Sequence, residues 1–160
     1  MLNMFYGCYN LQTLYIDNFD TSKVTTINNM FYHCKSLTTL DLCNFDTSLI
    51  TNMQSLFFNC ESLVSLNLDN FNTSKVENFN GMFYGCKSLI SLHMQTFDTS
   101  NSNNPQFVFE GVNNDLIFCI DIDKAYDFST LIDFDNNKCN DICFSGGKLI
   151  IEKKNMHYWM

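Results

Sequence analysis

The sequence predicts an α/β repeat: a right-handed solenoid with one short parallel strand per 26-residue coil, closed by a small α+β unit at its C-terminal end. Three observations predict it. Met4, Met30, Leu56 and Met82 open four similarly worded stretches, each 26 residues after the last. Each stretch holds an alternating apolar pair, Leu14/Ile16, Leu40/Leu42, Leu66/Leu68 and Leu92/Met94. After Ser100 the wording stops, and Asn104-Pro105 marks a turn into a different pattern. A fixed period of this size means a stacked architecture, because one repeat is too small to bury its own apolar side chains.

The copies run over residues 4–29, 30–55, 56–81 and, in degenerate form, 82–114, so that 1–114 is the array and 115–160 the cap. The common template is M-F-[YF]-x-C-x-x-L-x-x-L-x-[LIM]-x-x-F-[DN]-T-S-x-[VI]. Period-two alternation makes Leu40–Leu42 and its equivalents short strands with one face inward. Stacked in register, they form a parallel sheet with a spacing of about 4.8 Å. The Asp-Thr-Ser that follows (Asp20, Asp46, Asn72 and Asp98 leading) supplies short polar side chains that bond nearby backbone and fix a corner. Val24, Ile50 and Val76 then turn inward. Met-Phe-Tyr-x-Cys is too short for a full helix and predicts one helical or 3₁₀ turn. In the cap, Leu116–Ile122 and Lys148–Glu152 read as strands and Phe128–Phe134 as a short helix.

The Leu37, Leu40, Leu42 and Phe45 spacing resembles leucine-rich repeats. More closely, Leu37–Leu42, Phe45-Asp46-Thr47-Ser48, Met53 and Leu56-Phe57-Phe58-Asn59-Cys60 resemble the 26-residue repeat of the BspA-like surface-protein family. The resemblance covers residues 4 to 100. It implies a cell-surface or extracellular solenoid that adheres to a protein or glycan on another cell or matrix, with no shared catalytic residue. No leader pattern precedes the first copy and no polar cap covers it, which reads as one module of a longer repeat array.

Charge narrows the function further. Lys and Arg total 9, all of them Lys, against 17 Asp and Glu, for a net charge of -8. A chain without a basic stripe is a poor match for nucleic acid or anionic lipid. Its longest apolar run is far below a membrane span, which argues against direct insertion. Phe is frequent at 16, while Gly (6) and Pro (1) are scarce, unlike a linker.

Cysteine is the first chemistry to weigh. Cys8, Cys34, Cys60 and Cys86 recur at the repeat period, which makes them a buried row of small apolar side chains instead of convergent metal ligands. Cys119, Cys139 and Cys143 lie outside the period. Cys119 with either of the others would staple the cap if the chain is exported, the pairing being undetermined. Zinc on Cys139, Cys143 and His157 matches no closed site. His33 neighbours Cys34, but Gly7, Asn59 and Gly85 hold the same position, so the pair reads as incidental. No motif for a hydrolase, phosphate loop or dinucleotide site occurs. The expectation is a non-enzymatic protein with no cofactor and no metal. The row of Asp20, Asp46, Asn72 and Asp98 invites calcium, yet Asn72 favours capping within each copy.

Repeat proteins bind through their variable outward positions. Between the inward residues stands one row, Tyr15, Asp41, Asn67 and His93. Thr13, Thr39, Ser65 and Ser91 flank it on one side, and Asp17, Cys43, Asp69 and Gln95 on the other. This polar, mildly acidic face suits a macromolecule. The alternative is a structural spacer or intracellular scaffold with no ligand of its own.

Overall fold

The computed structural model describes residues 1–103, 105–120, 142–145 and 148–152. The helix expected over 128–134, together with Cys139 and His157, lies outside these residues. Five strands are present: β1 (Ser65–Asn67), β2 (Ser91–Met94), β3 (Ile117–Ile120), β4 (Ile142–Ser145) and β5 (Lys148–Glu152). They form one sheet in the order β1-β2-β3-β5-β4. β1 and β2 run parallel with Leu66 opposite Leu92, and β2 and β3 run parallel with Leu92 opposite Phe118. Both registers are a shift of one period. β5 then pairs antiparallel with β3 and with β4.

The period therefore continues in space beyond Ser100, where the wording of the repeat ends. Val108, Phe109, Gly111 and Val112 stand 26 residues after Met82, Phe83, Gly85 and Cys86, and β3 stands where a fifth copy would place its strand. Val108, Phe109 and Val112 are buried. The core needs only apolar volume at these positions, so Met-to-Val and Cys-to-Val replacements hide the register from a reader matching letters. β3 serves both the stack and the antiparallel hairpin formed by β4 and β5.

The Met-Phe-Tyr-x-Cys stretch is not the helical turn that its length suggests. Asn3, Asn29, Ser55, Gly81 and Phe107 all have positive φ, and so, four residues on, do Gly7, His33, Asn59, Gly85 and Gly111. Left-handed residues at this spacing interrupt any helix. Instead, backbone N–H groups alternate in direction. Met30, Tyr32 and Cys34 donate to the carbonyls three residues back, at 3.1 Å each. Asn29, Phe31 and His33 donate across to Gln54, Leu56 and Phe58 in the next copy, at 2.9, 3.0 and 2.8 Å. The same 25-residue step joins Phe5 to Met30, Phe57 to Met82 and Phe83 to Val108. Each turn segment is thus bonded both within itself and to its successor.

Three side-chain ladders follow from this register. Phe5, Phe31, Phe57, Phe83 and Phe109 stack with centroids 5.4 to 5.7 Å apart and nearly parallel planes. Beside them Tyr6, Tyr32, Phe58 and Tyr84 stack at 4.4 to 4.8 Å on the outer side. Burying a Phe contributes roughly 1.5–3 kcal/mol, with about 0.5–1.5 more per ring pair.

Threonine forms the second ladder. The buried Thr47 hydroxyl accepts the Asn72 N–H at 2.7 Å and donates to the Asn72 carbonyl at 3.1 Å. Thr73 treats Asp98 in the same way, at 2.7 and 3.0 Å. One hydroxyl thereby satisfies both backbone groups of the residue one step along the stack. Thr99 occupies the same position and is also buried, but its hydroxyl has no partner among the described residues.

The periodic cysteines form the third. The Cys34, Cys60 and Cys86 thiols donate to the Phe5, Phe31 and Phe57 carbonyls of the preceding copy, at 3.1–3.2 Å. Burial pushes Cys34 and Cys86 up to about 12 and raises Cys60 strongly. All three are free thiols. Their recurrence is explained by a carbonyl that needs a small weak donor.

Candidate binding face

The sheet side of the stack opens between the first three copies. Residues 13–15 and 39–41 occupy the positions of β1 and β2 but form no backbone hydrogen bonds among the described residues. The copies are tied at the entry to these segments, where Thr38 donates to Gln12 and Val64 to Thr38, both at 3.2 Å. They are tied again at the exit, where the Asn44 amide donates to the Asp17 carbonyl at 3.2 Å and the Asn70 amide to the Leu42 carbonyl at 2.9 Å. In between lies an open groove of about 350 Å³. Thr13, Thr39 and Ser65 line one side; Tyr15, Asp41 and Asn67 line the other; Leu14 and Leu40 form the floor.

The local geometry of the walls comes from the turns after the strands. The Asp41 and Asn67 side chains each accept the N–H two residues on, from Cys43 and Asp69, at 2.9 Å. These Asx turns fix the side chains at the rim. The Cys43 backbone bond, followed by its side chain, holds the Asp41 carboxyl below the usual range. The same contact raises the Cys43 thiol. Each Asx oxygen that caps a turn leaves the other polar atom of Asp41 or Asn67 for a ligand. The Tyr15 ring, at 85% exposure, is the most open large apolar side chain on this face.

The residues singled out by sequence therefore separate into two groups. Tyr15, Asp41 and Asn67 meet in the groove, with Thr13, Thr39 and Ser65. His93, Asp69 and Gln95 lie further along the stack: His93 Nδ1 is 3.8 Å from Asp69 Oδ2, and the Gln95 N–H donates to Asp69 Oδ1 at 2.8 Å. Asp17 is exposed at the exit from the first segment. Sequence reasoning missed the exposed aliphatic row of Val64, Ile90 and Ile117 at the strand entries, which borders the polar rows. Its signal was the change from Gln12 and Thr38 to Val64 and Ile90 at one repeat position.

Elsewhere the structure assigns other roles. Asp20, Asp46, Asn72 and Asp98 each accept the N–H of the Ser two residues on, at 2.9 to 3.1 Å, so each caps its own corner. His33 Nε2 is 3.3 Å from the Asn59 amide, and its ring packs on Tyr32 at 4.4 Å. Burial, reinforced by Lys35, lowers its pKa. Cys119 on β3 and Cys143 on β4 both stand opposite Ile150 of β5, on its two sides. Two strand spacings, roughly 10 Å, separate their backbones, which exceeds the reach of a disulfide. No helix among the described residues is long and apolar enough to cross a membrane.

A family model described as Mycoplasma protein of unknown function, DUF285, matches residues 1–131. No curated protein matches the chain, and no solved structure does.

Proposed function

The chain belongs to the DUF285 family, and from that premise we propose that it is a non-enzymatic recognition module whose ligand sits on the sheet side of the stack. Within the family we read it as BspA-like: a leucine-rich-repeat-like, right-handed solenoid displayed at a cell surface. The repeat wording from Leu37 to Cys60 supports that reading, as do the one-period registers between β1, β2 and β3.

The observation that carries the function is the groove. It joins the outward row residues of three successive copies, Tyr15, Asp41 and Asn67, into one concave polar surface. A concave site with a few convergent polar groups is where a ligand gains most contact. The non-catalytic part of the reading rests on the His33–Cys34 neighbours. The thiol is spent on the Phe5 carbonyl and held near 12, and the imidazole is turned to Asn59. A nucleophile needs the reverse, a lowered thiol pKa beside a base.

The test is binding of the purified chain to an array of immobilised matrix proteins and oligosaccharides. An Asp41→Lys/Asn67→Lys variant alters the face, and Lys35→Glu serves as a control on another surface. Loss of bound signal in the first alone is expected. Equal binding by the face variant and the unaltered chain would overturn the proposal.

A further inference from the structure

We infer that the groove is a binding site for a neutral oligosaccharide; this rests on the recognition reading above and names its ligand. Four features converge on that chemistry.

The first is unpaired backbone. Residues 13–15 and 39–41 present extended backbone whose N–H and C=O groups have no protein partner among the described residues. Such groups need hydrogen bonds from whatever fills the groove. A polyol supplies donors and acceptors in every direction, since each hydroxyl is both.

The second is the rim. Asp41 and Asn67 each spend one oxygen on a turn and keep a second polar atom free to bond, carboxylate oxygen in one case and amide nitrogen in the other. Thr39 and Ser65 add hydroxyls beside them. A hydroxyl bonded to a carboxylate makes a charge-assisted bond, about twice as strong as a neutral one.

The third is the pairing of an exposed aromatic with an apolar floor. Tyr15 is 85% exposed beside the groove, and Leu40 lies beneath it. A pyranose has one face of C–H groups, which lies flat on an aromatic ring, while its equatorial hydroxyls reach the rim. The fourth is charge. Asp41 is the only charged residue lining the groove, and no lysine does so, so an anionic sugar would meet repulsion. The volume of about 350 Å³ falls in the range of ligand sites. A peptide would instead seek an apolar anchor pocket, and the aliphatic row of Val64 and Ile90 lies at the strand entries, outside the groove lining.

The experiment uses the whole chain, fluorescently labelled, on an array of neutral, amino and acidic oligosaccharides, with hits titrated calorimetrically. Binding to neutral glycans is expected, unchanged in 0.5 M salt because no ion pair is involved. Tyr15→Ala should weaken it at least tenfold. Thr39→Phe, an exposed position, should abolish it by filling the groove. Asp41→Asn keeps the turn-capping oxygen, as Asn67 does, and should weaken binding without lowering the melting temperature. No binding at millimolar sugar, preference for acidic glycans, or indifference to Tyr15→Ala would each overturn the inference. A protein ligand that resists periodate oxidation and is lost in Val64→Lys/Ile90→Lys would refute the sugar while leaving recognition by this side of the stack standing. If no ligand responds to any of these variants, both readings fall.

Discussion

Thr73→Val and Thr99→Val are the same chemical change at two equivalent positions of the stack, and they should differ in their effect. Valine matches threonine in shape, so packing is nearly constant and the hydroxyl alone is tested. At Thr73 the hydroxyl accepts the Asp98 N–H at 2.7 Å and donates to the Asp98 carbonyl at 3.0 Å. Removing it orphans both groups at a position that is fully buried on the Thr side. Leaving a buried donor unsatisfied costs about 1–3 kcal/mol. At Thr99 the hydroxyl is buried without a partner among the described residues, so valine loses nothing and sheds a desolvated polar group. The assay is urea unfolding followed by far-ultraviolet circular dichroism. With a slope of about 2 kcal/mol per molar, Thr73→Val should lower the midpoint by roughly 0.5–1.5 M. Thr99→Val should leave it unchanged or raise it, and Thr73→Ser should recover part of the loss. Equal falls at Thr73 and Thr99 would refute the assignment of the ladder to hydroxyl bonding.

Other consequences can be checked alongside. Gly85→Ala places a Cβ 1.9 Å from Asn59 Oδ1 at a φ of +69°, so it should destabilise by more than the roughly 1 kcal/mol of the backbone term alone. At Gly7 the nearest atom is 3.6 Å away, and only that backbone cost should be seen in matched melts. His33 has a lowered pKa in the folded chain, through burial first and Lys35 second; folding therefore disfavours its protonation. Stability is full above the unfolded value near 6.5 and is lost as pH falls from there through the folded value, a slope that His33→Asn should flatten in melts between pH 7.5 and 5. Cys34 and Cys86, raised from 9.0 to about 12, should resist a thiol reagent at pH 8 that labels the exposed Cys43. Their contribution to stability should fade as pH rises above about 9, as peptide mapping and alkaline unfolding would show. Glu61 bridges Lys35 and Lys87 at 2.9 and 3.0 Å across three copies, yet Glu61→Gln should cost under about 1 kcal/mol, and less in high salt, because the network is solvent-facing.

The stacking step was legible because it is written in side chains that the core demands. Leu40, Leu66 and Leu92, together with the Phe31, Phe57 and Phe83 ladder, repeat at one spacing. What the turns do was written less plainly. Asn3, Asn29 and Gly81, then Gly7, Asn59 and Gly85, are residue types that tolerate positive φ. Their recurrence at two fixed positions carried the signal for the double left-handed turn. His33, Ser55 and Phe107 blur it, because the register forces them into the same conformation against their preference. The continuation to Ile120 was hidden for a related reason: burial selects volume, and Val108 and Val112 meet that requirement in place of Met and Cys. The face residues were nameable by alternation, but the groove was not. It exists because residues 13–15 and 39–41 fail to pair as β1 and β2 do. Nothing in Leu14 or Leu40 distinguishes them from Leu66 or Leu92 as letters.

Because every ladder in this chain closes on the residue 25 or 26 places further on, its length is quantised. Excising residues 30–55 whole would leave each donor facing an acceptor of the same kind, whereas a cut of 25 or 27 residues would misalign the phenyl, hydroxyl and thiol columns together. Natural variation in such a chain should come in complete turns, and stray single-residue insertions should be confined to places where no column passes.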